Sequence, residues 1–354
     1  MDFIMNGQAQ GSVATQLLDN GFDVATLRPW IGDDKRHYIS RFNTNTKKME
    51  SVPLQNATAT LRKDEWKILD EAIVRAAKER LRVVADLRSA GLTFNIPQGM
   101  GKTVLETETV SDVTPATISM DPARQGEADR PEYELTNLPL PVIHKDFFFN
   151  ARQVATSRNS GATIDATTAE NAARRVAEEA EKLVLGTLPT YSYGGGSVYG
   201  LTNFPQRMTK TMTSPEDTAW TGELLVDEIL EMRQQSTNAF HYGPWVIYVS
   251  PNWDRFLDRD YSAQKGDNTL RQRVQSINGI QDVRTADHLS GYQMIMTQMT
   301  SDVIREVIGM DITTLQWETM GGMRINYKVM AILVPQLRSD HNGNSGIVHG
   351  SVPA

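Results

Sequence analysis

Residues 99–103, GMGKT, come nearest to a chemical motif. A phosphate-binding loop needs G-x-x-x-x-G-K-[ST], because backbone amides must encircle the phosphates while the lysine reaches them and a helix opens behind. Gly101, Lys102 and Thr103 supply the second half, but Ile96 stands where the first glycine is required. The residues that follow, TVLETETV, alternate like a strand, so the helix is missing as well. The six histidines, His37, His144, His241, His288, His341 and His349, show no HExxH, HxH or HxxxH spacing, and a metal centre would have to be gathered from distant segments. Ser345 lies in GNSG, one residue short of a G-x-S-x-G elbow and outside any strand–turn–helix pattern. Glu178 and Glu179 are neighbours on a helical pattern and point apart, which reads as a solvated face. With no cysteine in the chain, thiol nucleophiles, disulfides and thiolate zinc sites are excluded. Nothing in these residues supports an enzyme, and no cofactor or metal is expected.

At 354 residues and 40% hydrophobic content, the chain can hold two compact units, or one core with long excursions. No apolar run approaches the roughly 18–20 residues of a membrane helix. The start, MDFIMNGQAQGS, lacks the basic and apolar regions of a signal peptide, so no membrane partner is expected. The net charge of −7 is unevenly spread: residues 35–88 hold 13 Lys and Arg against 7 Asp and Glu, which leaves the remainder at −13. Such a stretch is either a solvated helix face with its flanking loops, or a face turned toward nucleic acid through phosphate contacts that read no sequence.

Residues 1–61 hold short apolar pieces broken by Gly, Asn, Asp and Pro. They sustain no core period, which predicts an arm ordered by neighbours. Trp30, after Pro29, either plugs a pocket on a neighbour or packs locally. From 62 to 88, Trp66, Leu69, Ile73, Ala76, Leu81, Val84 and Leu87 fall close to the three-four spacing of an amphipathic helix, which predicts one helix ended by Gly91 and Pro97. Residues 99–147 alternate at both ends around a polar centre, SMDPARQGEADRP. This predicts a long two-stranded hairpin whose tip has little to pack against in its own subunit. Asp165 or Thr167 caps a helix that runs to about Leu185 and stops at Gly186. Ala173, Val176, Ala177, Ala180, Leu183 and Val184 form its apolar stripe, with Arg174, Arg175, Glu178, Glu179, Glu181 and Lys182 largely outside it.

YSYGGGSVYGLTN then reads as a glycine turn. A helix over 220–235, the strand WVIYVS and a helix over 251–258 predict a compact α/β unit with SAQKGDN at its edge. A helix over 269–277, a strand around Val283 and an apolar alternation over 292–298 follow. Strands over 312–317 and 324–334 are joined through Gly321-Gly322, and the tail HNGNSGIVHGSVPA reads as a surface strand or an ordered end. Core packing is the expected role of most of Trp66, Trp220, Trp245, Trp253 and Trp317.

This order of elements, over about residues 62–350, resembles the shell proteins of tailed bacteriophages and of encapsulins, which share the Hong Kong 97-type capsid fold. LRKDEWKILDEAIVRAAKERLRVVADL resembles the N-terminal helix of the encapsulin group, and TAENAARRVAEEAEKLVLGTL resembles the spine helix of the peripheral domain. The resemblance implies an α+β fold with an N-terminal arm (1–61), an N-terminal helix (62–98) and an extended loop lying over the adjacent subunit (99–147). A peripheral domain with the spine helix (148–215), an axial domain (216–300), and peripheral strands with a C-terminal tail (301–354) would follow. It also implies a major capsid protein that assembles with itself, as pentamers and hexamers, into an icosahedral shell around double-stranded DNA. The particle would be a virion put together in the host cytoplasm, with scaffold, portal and cement proteins as separate partners. The alternative is an encapsulin compartment enclosing cargo enzymes. The extension of about 60 residues before the first helix favours the capsid, and the lack of a scaffolding segment or leader implies a separate scaffold or none.

On this reading Arg124, Glu127, Asp129 and Arg130 make intersubunit contacts at the hairpin tip. Gln264, Lys265, Asp267 and Asn268 meet symmetry mates at the axial loop, and Lys35, Arg36, Lys47 and Lys48 face packaged DNA. Lys102 would contact a neighbouring subunit. One relative of the fold crosslinks through a lysine on this hairpin, but nothing in this sequence identifies the partner asparagine and acid.

Overall fold

The computed structural model describes residues 30–34, 36–43, 48–54, 61–111, 116, 118, 120, 130, 132–159, 166–260, 268–320, 323–340 and 342–353. The chain divides into two compact units. The first takes Met1–Thr103, Leu140–Leu188 and Arg305–Pro335, and the second takes Val104–Pro139, Pro189–Ile304 and Gln336–Ala354.

In the first unit, strands Thr93–Asn95, Ile304–Thr319, Arg324–Leu337 and Ile143–Asn150 lie in that order in one sheet. Ile143–Asn150 runs antiparallel to Arg324–Leu337, with Phe147 opposite Tyr327 and Phe149 opposite Ile325. Successive strand residues point to opposite faces. Phe147 and Phe149 are therefore buried while Asp146, Phe148 and Asn150 are exposed. Phe147 stacks on Tyr327 at 5.0 Å, and Trp66 meets the same ring edge-on at 6.0 Å. Trp66 thus anchors the first helix to the buried face of the sheet.

The stripe over 62–88, predicted as one helix, folds as two, Lys63–Arg80 and Arg82–Ser89. Leu81 leaves the helical region (φ −89°, ψ 79°) and stays buried. The break exposes fresh N–H donors at the start of the second helix. Glu181 takes two of them, from Val83 at 2.7 Å and Val84 at 3.4 Å. The spine helix spans Thr167–Leu185 and ends on Gly186, whose φ of 82° is a conformation glycine adopts without strain. Its N-cap is Ala166, which gives no side-chain bond. Thr167 is already helical, and Asp165 lies outside the described residues. Ala169, Ala173, Val176, Ala177, Ala180 and Val184 are buried, and these small side chains let the spine helix lie close against the first helix and strand Ile143–Asn150.

Residues 30–62 carry more regular structure than the broken apolar pattern predicts. Lys48–Leu54, His37–Asn43, Trp30–Ile31 and Leu61–Arg62 pair in that order as a small sheet. Strands of two to seven residues are too short to show a sustained apolar period, so the pattern gives no sign of them. Trp30 stacks on Tyr38 at 5.0 Å, so its packing is local.

The second unit is built on a sheet ordered Met208–Thr211, Ile347–Ser351, Gln293–Gln298, Trp245–Val249, Ile280–Thr285. Helices Gly222–Asn238, Pro251–Leu257 and Leu270–Gln275 bring Leu225, Ile229, Met232, Trp253, Phe256 and Val274 into one core with Trp245, Ile247, Met294, Met296 and Val348. Thr221 caps the first of these by accepting from the Leu224 N–H at 3.2 Å, which leaves Trp220 outside the helix. Thr269 and Gln272 form a capping box on the last. Of the two readings of the tail, a surface strand or an ordered end, the second holds: the segment is inserted into the sheet. Ile347–Ser351 runs parallel to Met208–Thr211 and antiparallel to Gln293–Gln298, with Ile347, Val348, His349 and Gly350 all buried. Burial on both faces removes the alternation that marks a surface strand.

Candidate assembly surfaces

The hairpin pairs Val104–Val110 with Tyr133–Pro139, from Val104 opposite Pro139 out to Val110 opposite Tyr133. Residues directly opposed share a face. Val110, Tyr133 and Leu135 therefore stand on one face together with Glu106, Glu108 and Asn137, and Leu105, Thr107, Thr109, Glu134, Thr136 and Leu138 on the other. Burial falls away from the root: Leu138 is 8% exposed, whereas Val110 is 49% and Tyr133 and Leu135 are each 64% exposed. Ile118 and Met120, in the segment between the strands, are fully exposed. At the root Asn137 donates from Nδ2 to the Gly194 carbonyl at 3.0 Å, and Gln336 Nε2 donates to Thr107 Oγ1 at 3.4 Å. Gly196 lies so close to the Asn137 backbone that a Cβ there would collide with it.

The segment read as a glycine turn is itself a hairpin, Tyr191–Tyr193 against Gly196–Val198. Gly194 and Gly195 take φ of 60° and 78°, the two left-handed positions that a tight hairpin turn requires. Strand Ile143–Asn150, whose first half was grouped with the long hairpin, belongs to the sheet of the first unit. Of the predicted tip contacts, Arg130 is exposed, while Arg124, Glu127 and Asp129 lie outside the described residues.

The basic stretch meets many acids. Arg36 is exposed, its backbone N–H donating to Asp34 Oδ1 at 3.1 Å and its side chain 3.8 Å from Oδ2. Tyr38 donates to the same carboxylate at 2.7 Å, and this bond does most to hold Asp34 below its ordinary range. Lys48 opens a strand opposite Asn43; Lys35 and Lys47 lie outside the described residues. Lys67 pairs with Glu71, Arg75 with Glu170 and Arg80 with Glu178. Arg88 is half-buried, bidentate to Glu306 at 2.7 and 2.9 Å and within 3.0 Å of Asp311. Burial raises the Glu306 carboxyl, and Arg88 opposes that rise.

Glu178 is not on a solvated face. It is buried, with Arg175 at 2.9 Å and Arg80 and Arg174 each at 3.8 Å. Glu181 is buried too, and burial pushes its carboxyl up to about 7 despite its two backbone donors.

At the axial loop Asn268 is exposed, and Gln264, Lys265 and Asp267 lie outside the described residues. The base of the loop is well tied. Asp260 bridges to Thr269, and Arg271 reaches Asp258 at 3.0 Å, Asp254 at 2.8 Å and the Val283 carbonyl at 3.2 Å.

The chemical motifs resolve into structural roles. Gly99–Gly101 is a short 3-10 turn in which Gly99 rests on the Gly309 backbone with no space for a Cβ, and Lys102 is exposed beside it. Ser345 is buried and donates to the Gln206 carbonyl at 3.0 Å. His349 accepts from Arg207 Nε at 3.4 Å, and burial pushes its pKa down to about 4, so it is neutral at pH 7. Among the described residues no three His, Asp or Glu side chains gather as a metal site.

Residues 56–350 match the model of a family described as a family of unknown function, DUF6260. The chain belongs to that family. A curated relative, the type 1 encapsulin shell protein EncA of Myxococcus xanthus (strain DK1622), is 20% identical over 297 residues, covering 81% of this chain and 93% of the relative. The virus-like particle from Pyrococcus furiosus superimposes with a TM-score of 0.55 at 14% identity, over 80% of this chain and 98% of that one. The capsid of a native GTA particle gives 0.56 at 12% identity over 77% and 92%, and the capsid of Myoviridae phage XM1 gives 0.54 at 9% identity over 71% and 86%. The fold of this family member is therefore the α+β Hong Kong 97-type fold.

Proposed function

We propose that this chain is the major subunit of a self-assembling icosahedral shell, and that its work is mechanical and not enzymatic. The hairpin carries the reading. Val110, Tyr133 and Leu135 stand exposed, beside Glu106 and Glu108, on one face of a two-stranded arm that is exposed beyond its root, and such an arm is marginal in water unless it lies on another surface. A second copy of a chain with a shell-type fold supplies that surface. Arg124, Glu127, Asp129 and Arg130 at the tip, and Gln264, Lys265, Asp267 and Asn268 at the axial loop, are then contacts between copies within pentamers and hexamers.

The first reading of the contents is double-stranded DNA, packaged in a virion. Lys35, Arg36, Lys47 and Lys48 face it through phosphate contacts that weaken steeply with salt. The Myxococcus xanthus relative, a shell protein that matches most of both chains, favours a second reading, an encapsulin compartment with protein cargo. Electron microscopy and light scattering of the purified chain should reveal closed megadalton particles. Nuclease-protected DNA inside them supports the capsid, and protein cargo without nucleic acid supports the compartment. A chain that stays a monomer or small oligomer at every concentration rejects both.

A further inference from the structure

The helix Gly222–Asn238 ends in a full Schellman motif: the Phe240 N–H bonds the Thr237 carbonyl at 3.0 Å, and the His241 N–H bonds the Ser236 carbonyl at 3.0 Å. That motif requires a left-handed residue just past the cap, a place glycine fills by default. Here it is phenylalanine, with φ of 62°, and a bulky side chain in that region is a backbone outlier. The ring does not offset the strain by packing, since Phe240 is 74% exposed. Tyr242, two residues on, is 66% exposed. Between them His241 faces inward to Gln298, at 3.1 Å. Among the described residues neither exposed ring stacks on another ring.

A strained position filled by an exposed aromatic, where glycine would serve the fold better, points to a use outside the folded chain. We propose that Phe240 and Tyr242 form an aromatic contact with a second copy of this chain, a reading that rests on the shell function above. Residues 234–244 contain no Asp, Glu, Lys or Arg. An anionic partner such as nucleic acid would find no cation there. Copies that each carry −7 approach one another best through an uncharged patch, because like charges brought together across an interface are costly. Two such rings bury about 150–250 Å² each, a large part of the roughly 800 Å² per partner of a standard interface. They suit the centre of a contact that other surfaces of the shell complete.

The test uses the full chain. Phe240→Gly removes the ring and the backbone strain together, so the unassembled subunit should melt at the wild-type temperature or above. The concentration at which particles form should meanwhile rise roughly tenfold, the loss expected when a central aromatic leaves an interface. Tyr242→Ser, at a position with ordinary backbone, should raise that concentration at an unchanged melting temperature. Wild-type assembly by both variants overturns the contact and leaves the shell reading standing. A lowered melting temperature in both assigns the rings to the chain's own fold and also overturns it. A wild-type chain that never assembles overturns the shell reading and this contact together.

Discussion

Glu181 is a carboxylate set among buried alanines and valines, and its two acceptor oxygens meet N–H groups nearly a hundred residues away in sequence. An ordinary glutamate titrates near 4.3 in an unfolded chain, whereas burial holds this one at about 7. The neutral acid therefore favours the folded state. That contribution is complete below the unfolded pKa and is lost as pH rises through 7. Between pH 5 and 8 the wild type should lose stability relative to Glu181→Gln, on the order of 1–3 kcal/mol, read from melting temperatures of the two proteins across that range. Parallel curves would mean that water reaches the carboxyl. Arg88 poses the opposite case, a cation whose removal strands the fully buried Glu306. Arg88→Ala should cost about 3–5 kcal/mol in chemical denaturation, and a loss under 1 kcal/mol would refute the buried network. Neither role was legible in the sequence. Arg88 read as part of the basic stretch, Glu178 as solvated and Glu181 as largely outside the apolar stripe, because a charged residue beside such a stripe gives no sign of a partner supplied by another segment.

At the scale of elements, the spine helix was the most legible part of the chain. Its stripe places Ala177 and Ala180 inward, and both are fully buried. Ala177→Asp should abolish soluble expression, since a carboxylate there has no partner. Glu178→Ala, at a residue now seen to gather three arginines, should be milder, lowering stability by on the order of 1–2 kcal/mol. Equal tolerance of the two changes would mean the helix packs through another face. The break at Leu81 left one trace, a step of five from Ala76 to Leu81 where the other steps are three or four, and it was passed over because a stripe reports which residues are buried but not whether the backbone stays helical. The two strands of the hairpin were legible from their alternation. That Val110, Tyr133 and Leu135 share one face came only with the register. Changing Val110, Tyr133 and Leu135 together to serine should leave a soluble chain that does not form particles, while shells of normal yield by light scattering would remove the hairpin from the assembly argument.

For the whole molecule, the order of helices and strands pointed to the shell fold even though no short motif did, since a fold defined by layers and crossings leaves its trace in sequence of elements more than in any one residue. If the chain closes into a shell, what the shell holds is a question of charge. If Lys35, Arg36, Lys47 and Lys48 meet DNA, changing all four to glutamine should leave empty shells intact and lower DNA retention, with a shallower dependence on salt. Failure of that variant to assemble would make the basic arm a clamp between subunits.

Strand Ile347–Ser351 sits between two strands that precede it by dozens of residues or more, Met208–Thr211 and Gln293–Gln298. Without the late strand, Met208–Thr211 has no neighbour in the sheet and Gln293–Gln298 keeps only Trp245–Val249. A message cut short before residue 347 thus yields a chain missing the inside of a sheet and not a dispensable fringe, with bare edges of the kind that aggregate. We expect a stop at that point to give insoluble protein that never enters a particle. The register of one short strand would then act as a length gauge, admitting to the particle only chains translated at least as far as residue 351.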